Sequence, residues 1–384
     1  MGQKLLITNC RLLDAVDGKQ TVSILIEDGV ITQIGDIVAD AGCEVVDGRG
    51  RVAAPGFIDV HIQGAGGADI LDGKVEALET ISQTCARFGT TSFLATTVYK
   101  VNGDNEHLAL AAEYSGRELG GANLAGIHLE GPFIASNKRG MIQPDCICPA
   151  SMQTFDKILK VTGGRLKMMT IAPELDGSLE IIRRLVDSNI VASFAHSEAN
   201  YEQTLEGIKA GISHVTHLFN AMSPVHHRSP GPLVAIFENE EITVQLIADG
   251  VHIHPSVLRM AFEILGPERI VLITDGMQAM GLPDGQYVYN DVEYESKNGA
   301  ARYKDGTLIG TALGLSELVK RLIRFTDCSL DVAVRTVTEN PAGLLGIEDR
   351  KGSIAVGKDA DLVLLEDDLS VRMTIVGGRI VFGK

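Results

Sequence analysis

Ile190-Val191-Ala192-Ser193-Phe194-Ala195-His196-Ser197 is followed by a helix-patterned stretch, Tyr201–Ala210, and then by a second apolar run, Val215–Asn220, that carries His217. Two short, nearly continuous apolar runs with a helix between them make a β-α-β unit whose strands lie in a parallel sheet buried on both faces. The rhythm continues in both directions. Upstream come Phe57–Ile62, Thr91–Thr96, Ala125–Leu129 and Leu166–Ala172, and downstream Thr243–Ala248 and Arg269–Thr274, eight runs in all. Helix patterns at Val75–Phe88, Leu179–Val186 and Pro255–Leu265 fill gaps between them. Eight such units predict an α/β protein built on a closed (β/α)8 TIM barrel, with its chemistry at the C-terminal ends of the strands. An open doubly wound sheet is the competing architecture, but no G-x-G-x-x-G phosphate turn follows the first run.

The two ends of the chain read differently. Lys4–Thr8, Val22–Glu27 and Val30–Ile34 are short β-rich runs, the last two separated by Asp28-Gly29, a hairpin signal. Ala360–Leu365, Met373–Val376 and Arg379–Phe382 repeat the pattern, with Gly377-Gly378 before the last. Such ends can pair into one small sheet domain, because chain termini often lie close together.

Composition narrows the function. The 384 residues are 45% hydrophobic and 22% charged, ordinary globular values that exclude disorder, collagen and coiled coil. A net charge of −16 argues against nucleic acid and anionic membranes, which need clustered Lys and Arg. No apolar run approaches a membrane span, the first residues lack a signal-type apolar stretch, and Leu6 stands where a myristoylation motif wants Ser or Thr. Six thinly spread cysteines form neither a disulfide framework nor a zinc knuckle. These features predict a cytoplasmic protein.

Polar residues punctuate the run ends. The first run ends in Asp59-Val60-His61-Ile62-Gln63, the third in His128-Leu129-Glu130-Gly131-Pro132, the fifth at His196, the sixth at His217 and the eighth at Asp275. On barrel strands these side chains converge on one mouth. Glu130, His196 and His217 make a His2Glu set that suits a catalytic divalent metal with an open position. Asp275 can take a proton from water and pass it to a leaving group. Together they point to metal-assisted hydrolysis of an amide or ester.

With these residues in place, the chain resembles the amidohydrolase superfamily, and within it the N-acetylglucosamine-6-phosphate deacetylases, nearly end to end. The resemblance is carried by Ala54-Pro55-Gly56-Phe57-Ile58-Asp59-Val60-His61, His128-Leu129-Glu130-Gly131-Pro132-Phe133 and His217-Leu218-Phe219-Asn220-Ala221-Met222. It continues in His226-His227-Arg228-Ser229-Pro230-Gly231, Ile247-Ala248-Asp249-Gly250-Val251-His252, Ile273-Thr274-Asp275, Asn340-Pro341-Ala342 and Gly357-Lys358-Asp359-Ala360-Asp361-Leu362-Val363. It implies Glu130, His196 and His217 as metal ligands and Asp275 as the catalytic acid/base. Asn220, the Ala221 backbone and Arg228 become phosphate and sugar contacts, with His227 a further candidate. His252 and Leu308-Ile309-Gly310 become sugar-binding positions. The implied reaction is hydrolysis of N-acetylglucosamine 6-phosphate to glucosamine 6-phosphate and acetate, in a homodimer. The implied cofactor is a divalent metal, one or two ions per subunit, zinc first, with iron, manganese or cobalt as alternatives. The implied architecture is a barrel over 54–345, a small β-sandwich from 1–53 plus 346–384, and a hairpin pairing Gln286–Glu293 with Gly299–Leu308.

Two positions depart from the family pattern. Many amidohydrolases carry His-x-His at the first strand to hold a second metal; here His61-Ile62-Gln63 offers a weaker amide, so His61 and Gln63 are candidates for a second, labile site. A family Lys-x-Gly-x-His loop reads Lys138-Arg139-Gly140-Met141-Ile142, placing Ile142 where the histidine would donate a hydrogen bond, next to Met141. That substitution, with Met277-Gln278-Ala279, motivates a second reading: a deacetylase for N-acetylgalactosamine 6-phosphate or another acylated sugar phosphate. A reading of another class is a non-catalytic amidohydrolase-fold protein that binds a sugar phosphate.

Overall fold

The computed structural model describes residues 4–13, 21–40 and 42–383. Its centre is a ring of parallel strands: β1 (Phe57–Ile62), β2 (Thr90–Thr97), β3 (Asn123–Glu130), β4 (Leu166–Ile171), β5 (Val191–Phe194), β6 (His214–Val215), β7 (Thr243–Leu246) and β8 (Ile270–Leu272). Each strand pairs with the next in sequence. The ring closes just beyond β8, where the Asp275 N–H donates to the His61 carbonyl (3.0 Å) and the Gln63 N–H to the Gly276 carbonyl (2.9 Å). Every residue of β1 and β2 is buried, as strands covered on both faces require.

The helices are α1 (Val75–Arg87), α2 (Glu106–Tyr114), α3 (Met152–Thr162), α4 (Ser178–Asp187), α5 (Tyr201–Ala210), α6 (Gly231–Glu238), α7 (Pro255–Leu265) and α8 (Leu315–Thr326), of which α1, α4, α5 and α7 fall where the periodicity places them. In α4, Ile181, Ile182 and Leu185 are buried, a stripe at helical spacing that docks on the sheet. Asn340 ties the final helical segment to the barrel by donating to the carbonyls of Pro267 (2.7 Å) and Ile270 (2.6 Å).

Two expectations change. The sixth run is a strand only at His214–Val215, because His217, Phe219 and Ala221 adopt left-handed backbone (φ 32, 78 and 54°) and break the ladder. The excursion after β8 is a four-stranded antiparallel meander, Gly285–Tyr289, Val292–Lys297, Ala300–Tyr303 and Leu308–Thr311, instead of the single hairpin expected. The chain turns at Asn290-Asp291 and again at Asn298-Gly299, all four with positive φ. Asn, Asp and Gly tolerate that conformation, which tight hairpins need.

The chain ends share a sheet. In order its strands are Arg379–Phe382, Val371–Val376, Leu362–Leu365, Val52–Pro55, Lys4–Leu12, Val22–Glu27 and Val30–Gly35, with Glu44–Asp47 pairing alongside Lys4–Leu12. The sheet folds over a core of its own, in which Leu5, Ile7, Ile24 and Ile26 from one end meet Leu362, Leu364, Met373 and Ile375 from the other.

Candidate metal centre and catalytic cleft

Glu130 is the last residue of β3, and His196, His217 and Asp275 lie just beyond β5, β6 and β8. The last three have positive φ (48, 32 and 47°), so the chain turns sharply at each strand end and swings the side chain over the barrel mouth. Non-glycine residues held there cost about 1–3 kcal/mol each, a strain that functional sites commonly store. Glu130 Oε1 lies 3.1 Å from His196 Nε2 and 3.0 Å from His217 Nε2, and the two nitrogens are 3.1 Å apart.

This is the group among the described residues whose His, Cys, Asp or Glu ligand atoms lie close enough to hold a metal, all within 4.8 Å of one another. Two imidazole nitrogens and a carboxylate oxygen at such spacing repel as bare lone pairs, so a cation between them is the stable arrangement, and the donor types suit a divalent transition metal. Burial alone would raise the Glu130 carboxyl, but the imidazoles of His61, His196 and His217 around it hold it well below its usual value. For His217, burial works downwards, yet Glu130 and Asp275 keep its pKa above normal. His196 is oriented from behind by the Lys138 carbonyl, 2.6 Å from Nδ1.

His61 sits beneath this group. Gln245 Oε1 lies 2.9 Å from its Nδ1 and also accepts the His217 backbone N–H (3.3 Å), so His61 carries its proton on Nδ1 and turns Nε2 upwards. That Nε2 is 3.3 Å from Asp275 Oδ1 and 3.7 Å from Glu130. Gln63 Nε2 reaches both His61 Nε2 (3.3 Å) and Glu130 Oε2 (3.4 Å).

Above the group opens a cleft of about 240 Å³ lined by Glu130, His196, His217, Asp275, His252, Asn220, Ala221, Met141, Leu308 and Ile309, together with Asn137, Lys138 and Gly140.

A family model for amidohydrolases matches residues 52–381, the whole barrel and the last strands beside it. The chain belongs to the amidohydrolase family. It is 42% identical over 335 residues to the N-acetylglucosamine-6-phosphate deacetylase of Bacillus subtilis (strain 168), a match covering 86% of this chain and 85% of that one. It is 32% identical over 356 residues to the N-acetylgalactosamine-6-phosphate deacetylase of Escherichia coli O157:H7, covering 92% and 93%. Among solved structures, a D-to-A variant of the Mycobacterium smegmatis N-acetyl-D-glucosamine-6-phosphate deacetylase, in complex with N-acetyl-D-glucosamine-6-phosphate, superposes with a TM-score of 0.88 at 30% identity, covering 99% of this chain and 100% of that one. The amidohydrolase is therefore an amide-hydrolysing enzyme, which sets aside the non-catalytic reading.

The structure brings together most of the residues singled out from the sequence, and it separates others. Arg228, His226 and His227 lie on an exposed loop outside the cleft lining; Arg228 Nη1 meets His227 Nε2 at 2.6 Å. Ile142 is not among the cleft-lining residues; it is buried in an apolar cluster with Met277, Tyr289, Tyr294 and Ile309, the last of which does line the cleft. Gly310 is packed against the catalytic strand end: a Cβ there would stand 2.5 Å from the Asp275 carbonyl oxygen. The sequence reading missed Gln245 as the residue that orients His61; its signal was one polar side chain inside the apolar run Thr243–Ala248. Lys138 acts on His196 through its backbone, which no side-chain pattern announces.

Proposed function

We propose that this amidohydrolase removes the acetyl group from N-acetylglucosamine 6-phosphate, releasing acetate and glucosamine 6-phosphate. The observation that carries the reading is the convergence of Glu130, His196 and His217 beside Asp275 in a cleft that Asn220 and Ala221 also line. A divalent ion held by Glu130, His196 and His217 supplies Lewis acidity and lowers the pKa of water. Asp275 takes the proton of the attacking water and returns it to the departing amine. The Ala221 N–H grips the phosphate end on a turn that Asn220 shapes, its Nδ2 donating to the His217 and Leu218 carbonyls at 3.2 Å each, and His252, Leu308 and Ile309 hold the sugar. Zinc is the expected ion, and iron(II), manganese or cobalt suit the same donors. One ion per chain is expected, because the Gln63 amide already bridges His61 and Glu130 with its N–H groups.

Residues 54–345 form the catalytic barrel domain in this reading, with 1–53 and 346–384 as the sandwich. In this reading the enzyme works as a cytoplasmic homodimer. Arg228 and His227, exposed and away from their own cleft, complete the phosphate end of the partner's site.

Acetate release by zinc-supplemented protein tests the function, with N-acetylglucosamine 6-phosphate and its galactosamine epimer assayed in parallel. Turnover is expected on the first, and Asp275→Asn should lower kcat by about 10²–10⁴-fold with metal content kept. Acetate from neither substrate, with metal demonstrably bound, would sink the proposal. Faster turnover of the epimer would favour the second reading, for which Ile142 is the motive: it offers no hydrogen bond where the family histidine would, and hydroxyl epimers are told apart by such bonds.

A further inference from the structure

Asp249 follows β7, and it does not line the cleft. Its carboxylate is nevertheless fully engaged. Oδ1 accepts the backbone N–H groups of Val251 and His252, both at 2.8 Å, and Oδ2 lies 2.7 Å from His252 Nδ1. Both side chains are almost wholly buried, 1% exposed for Asp249 and 4% for His252. The Asp249 carbonyl oxygen accepts from Arg321 Nη1 at 2.7 Å, and Arg321, on α8, is braced by Glu317 at 3.1 Å. The loop that carries His252 is thus held from outside the site by a helix of the barrel wall. On its other side His252 turns Nε2 to the cleft, 3.9 Å from Asp275 Oδ2.

An ionised carboxylate only accepts hydrogen bonds, so the atom facing Oδ2 must carry the proton. Burial would raise the Asp249 pKa, but the hydrogen bond from His252 and those from the two amides keep it below its usual value. With one proton on the ring, that proton sits on Nδ1, facing Oδ2, and Nε2 presents a lone pair. We infer that Asp249 is a positioning residue that fixes the His252 tautomer, so that Nε2 meets the substrate as the acceptor of a sugar hydroxyl proton. The role of that acceptor rests on the reading of His252 as a substrate contact; the tautomer does not.

Asp249→Asn reverses the arrangement without removing bulk. The two backbone N–H groups claim the amide oxygen, which leaves the NH2 group facing Nδ1. The imidazole then has to accept there, and its proton moves to Nε2, which turns an acceptor into a donor. A change of this kind keeps the geometry and spoils the function.

The first measurement is 15N NMR of the histidine rings in the unsubstituted zinc-loaded enzyme at pH 8, with His252 assigned by its loss in His252→Gln. A neutral ring protonated on Nδ1 is expected; a ring protonated on Nε2, or on both nitrogens, overturns the inference whether or not any variant folds. In Asp249→Asn the ring should switch to Nε2–H with metal content unchanged. Its kcat/KM for N-acetylglucosamine 6-phosphate should fall by about 10- to 100-fold, mostly through KM, the scale of one unpaired hydrogen bond in a buried site. An unswitched tautomer contradicts it, and so does a kcat/KM within about twofold of the parent enzyme when His252→Gln itself lowers kcat/KM. If His252→Gln leaves kcat/KM intact while the ring behaves as expected, the substrate-contact reading fails and the positioning by Asp249 stands.

Discussion

Gln63 stands where a histidine would hold a second ion, and its chemistry decides how many metals the site takes. Its Nε2 donates towards His61 Nε2 and Glu130 Oε2, so an uncharged amide satisfies two acceptors that a cation would otherwise bridge. Its own Oε1 has no partner among the described residues. Replacing the amide by imidazole removes the donors and adds a third nitrogen near His61, whose Nε2 already lies 3.3 Å from Asp275 Oδ1. Gln63→His is therefore expected to raise bound metal from one ion per chain to two, measured by elemental analysis after dialysis. Unchanged metal content would show that the amide is not what keeps the second position closed. These residues were legible in the sequence because His, Glu and Asp are conspicuous at the ends of apolar runs, where burial must be compensated by a partner. Arg228 was equally legible and still lies outside its own cleft, since a motif records residue types and not the path of the loop that carries them.

At the level of single elements, regular stretches were read well and turns less well. Tyr201–Ala210 and Pro255–Leu265 coincide with α5 and α7, because a helix needs only periodicity and ends. The meander after β8 escaped, because turns at Asn290-Asp291 and Asn298-Gly299 divide a stretch that reads as two long strands when only alternation is followed. That meander roofs a polar cavity of about 350 Å³ to which Asp69, Lys100, Gln278 and Asn290 contribute. Asp69 caps the short 3-10 turn Ile70–Asp72, accepting the Leu71 N–H at Oδ1 (2.8 Å), while its Oδ2 has no partner among the described residues. Burial pushes this carboxyl up to about 8, the Leu71 hydrogen bond opposing and the Asp72 charge adding to the rise. Unfolded, it titrates near 3.8, so between pH 3.8 and about 8 the folded chain holds one more proton and stability falls as pH rises. Asp69→Asn removes that loss and keeps the cap. Urea denaturation should find the variant more stable than the parent at pH 9 by on the order of 1 kcal/mol or more, with a smaller difference at pH 6. A gain that does not grow between pH 6 and pH 9 would mean that the carboxyl is already ionised in the fold.

For the molecule as a whole, the question is whether the sheet made from the chain ends is an appendage or part of the catalytic body. The two β-rich ends were visible in the sequence, and their pairing was a fair expectation, but what they touch was not. Thr374, on the strand Val371–Val376, donates to the Ala86 carbonyl in α1 at 2.7 Å. The Gly56 N–H, at the entrance to β1, donates to the Asp361 carbonyl at 2.8 Å, and Asp361 Oδ1 accepts the Gly377 N–H, also at 2.8 Å. Lys351 pairs with both Asp361 and Asp359. The strand Leu362–Leu365 lies directly beside Val52–Pro55, one residue before β1 begins. Loss of the sheet therefore frees the first barrel strand, which carries His61 and Gln63 at its end. Ile375 is fully buried in the sheet's core, so Ile375→Ala should cost about 2–5 kcal/mol through lost burial and the cavity left behind. Because the two cores are joined through β1, that cost should appear in the barrel as well. Acetate-releasing activity and far-UV circular dichroism, followed through one urea titration, should shift together to lower urea in the variant. If activity persists to the parent's midpoint while part of the dichroism is lost early, the sheet unfolds as an independent unit and the barrel holds its site without it.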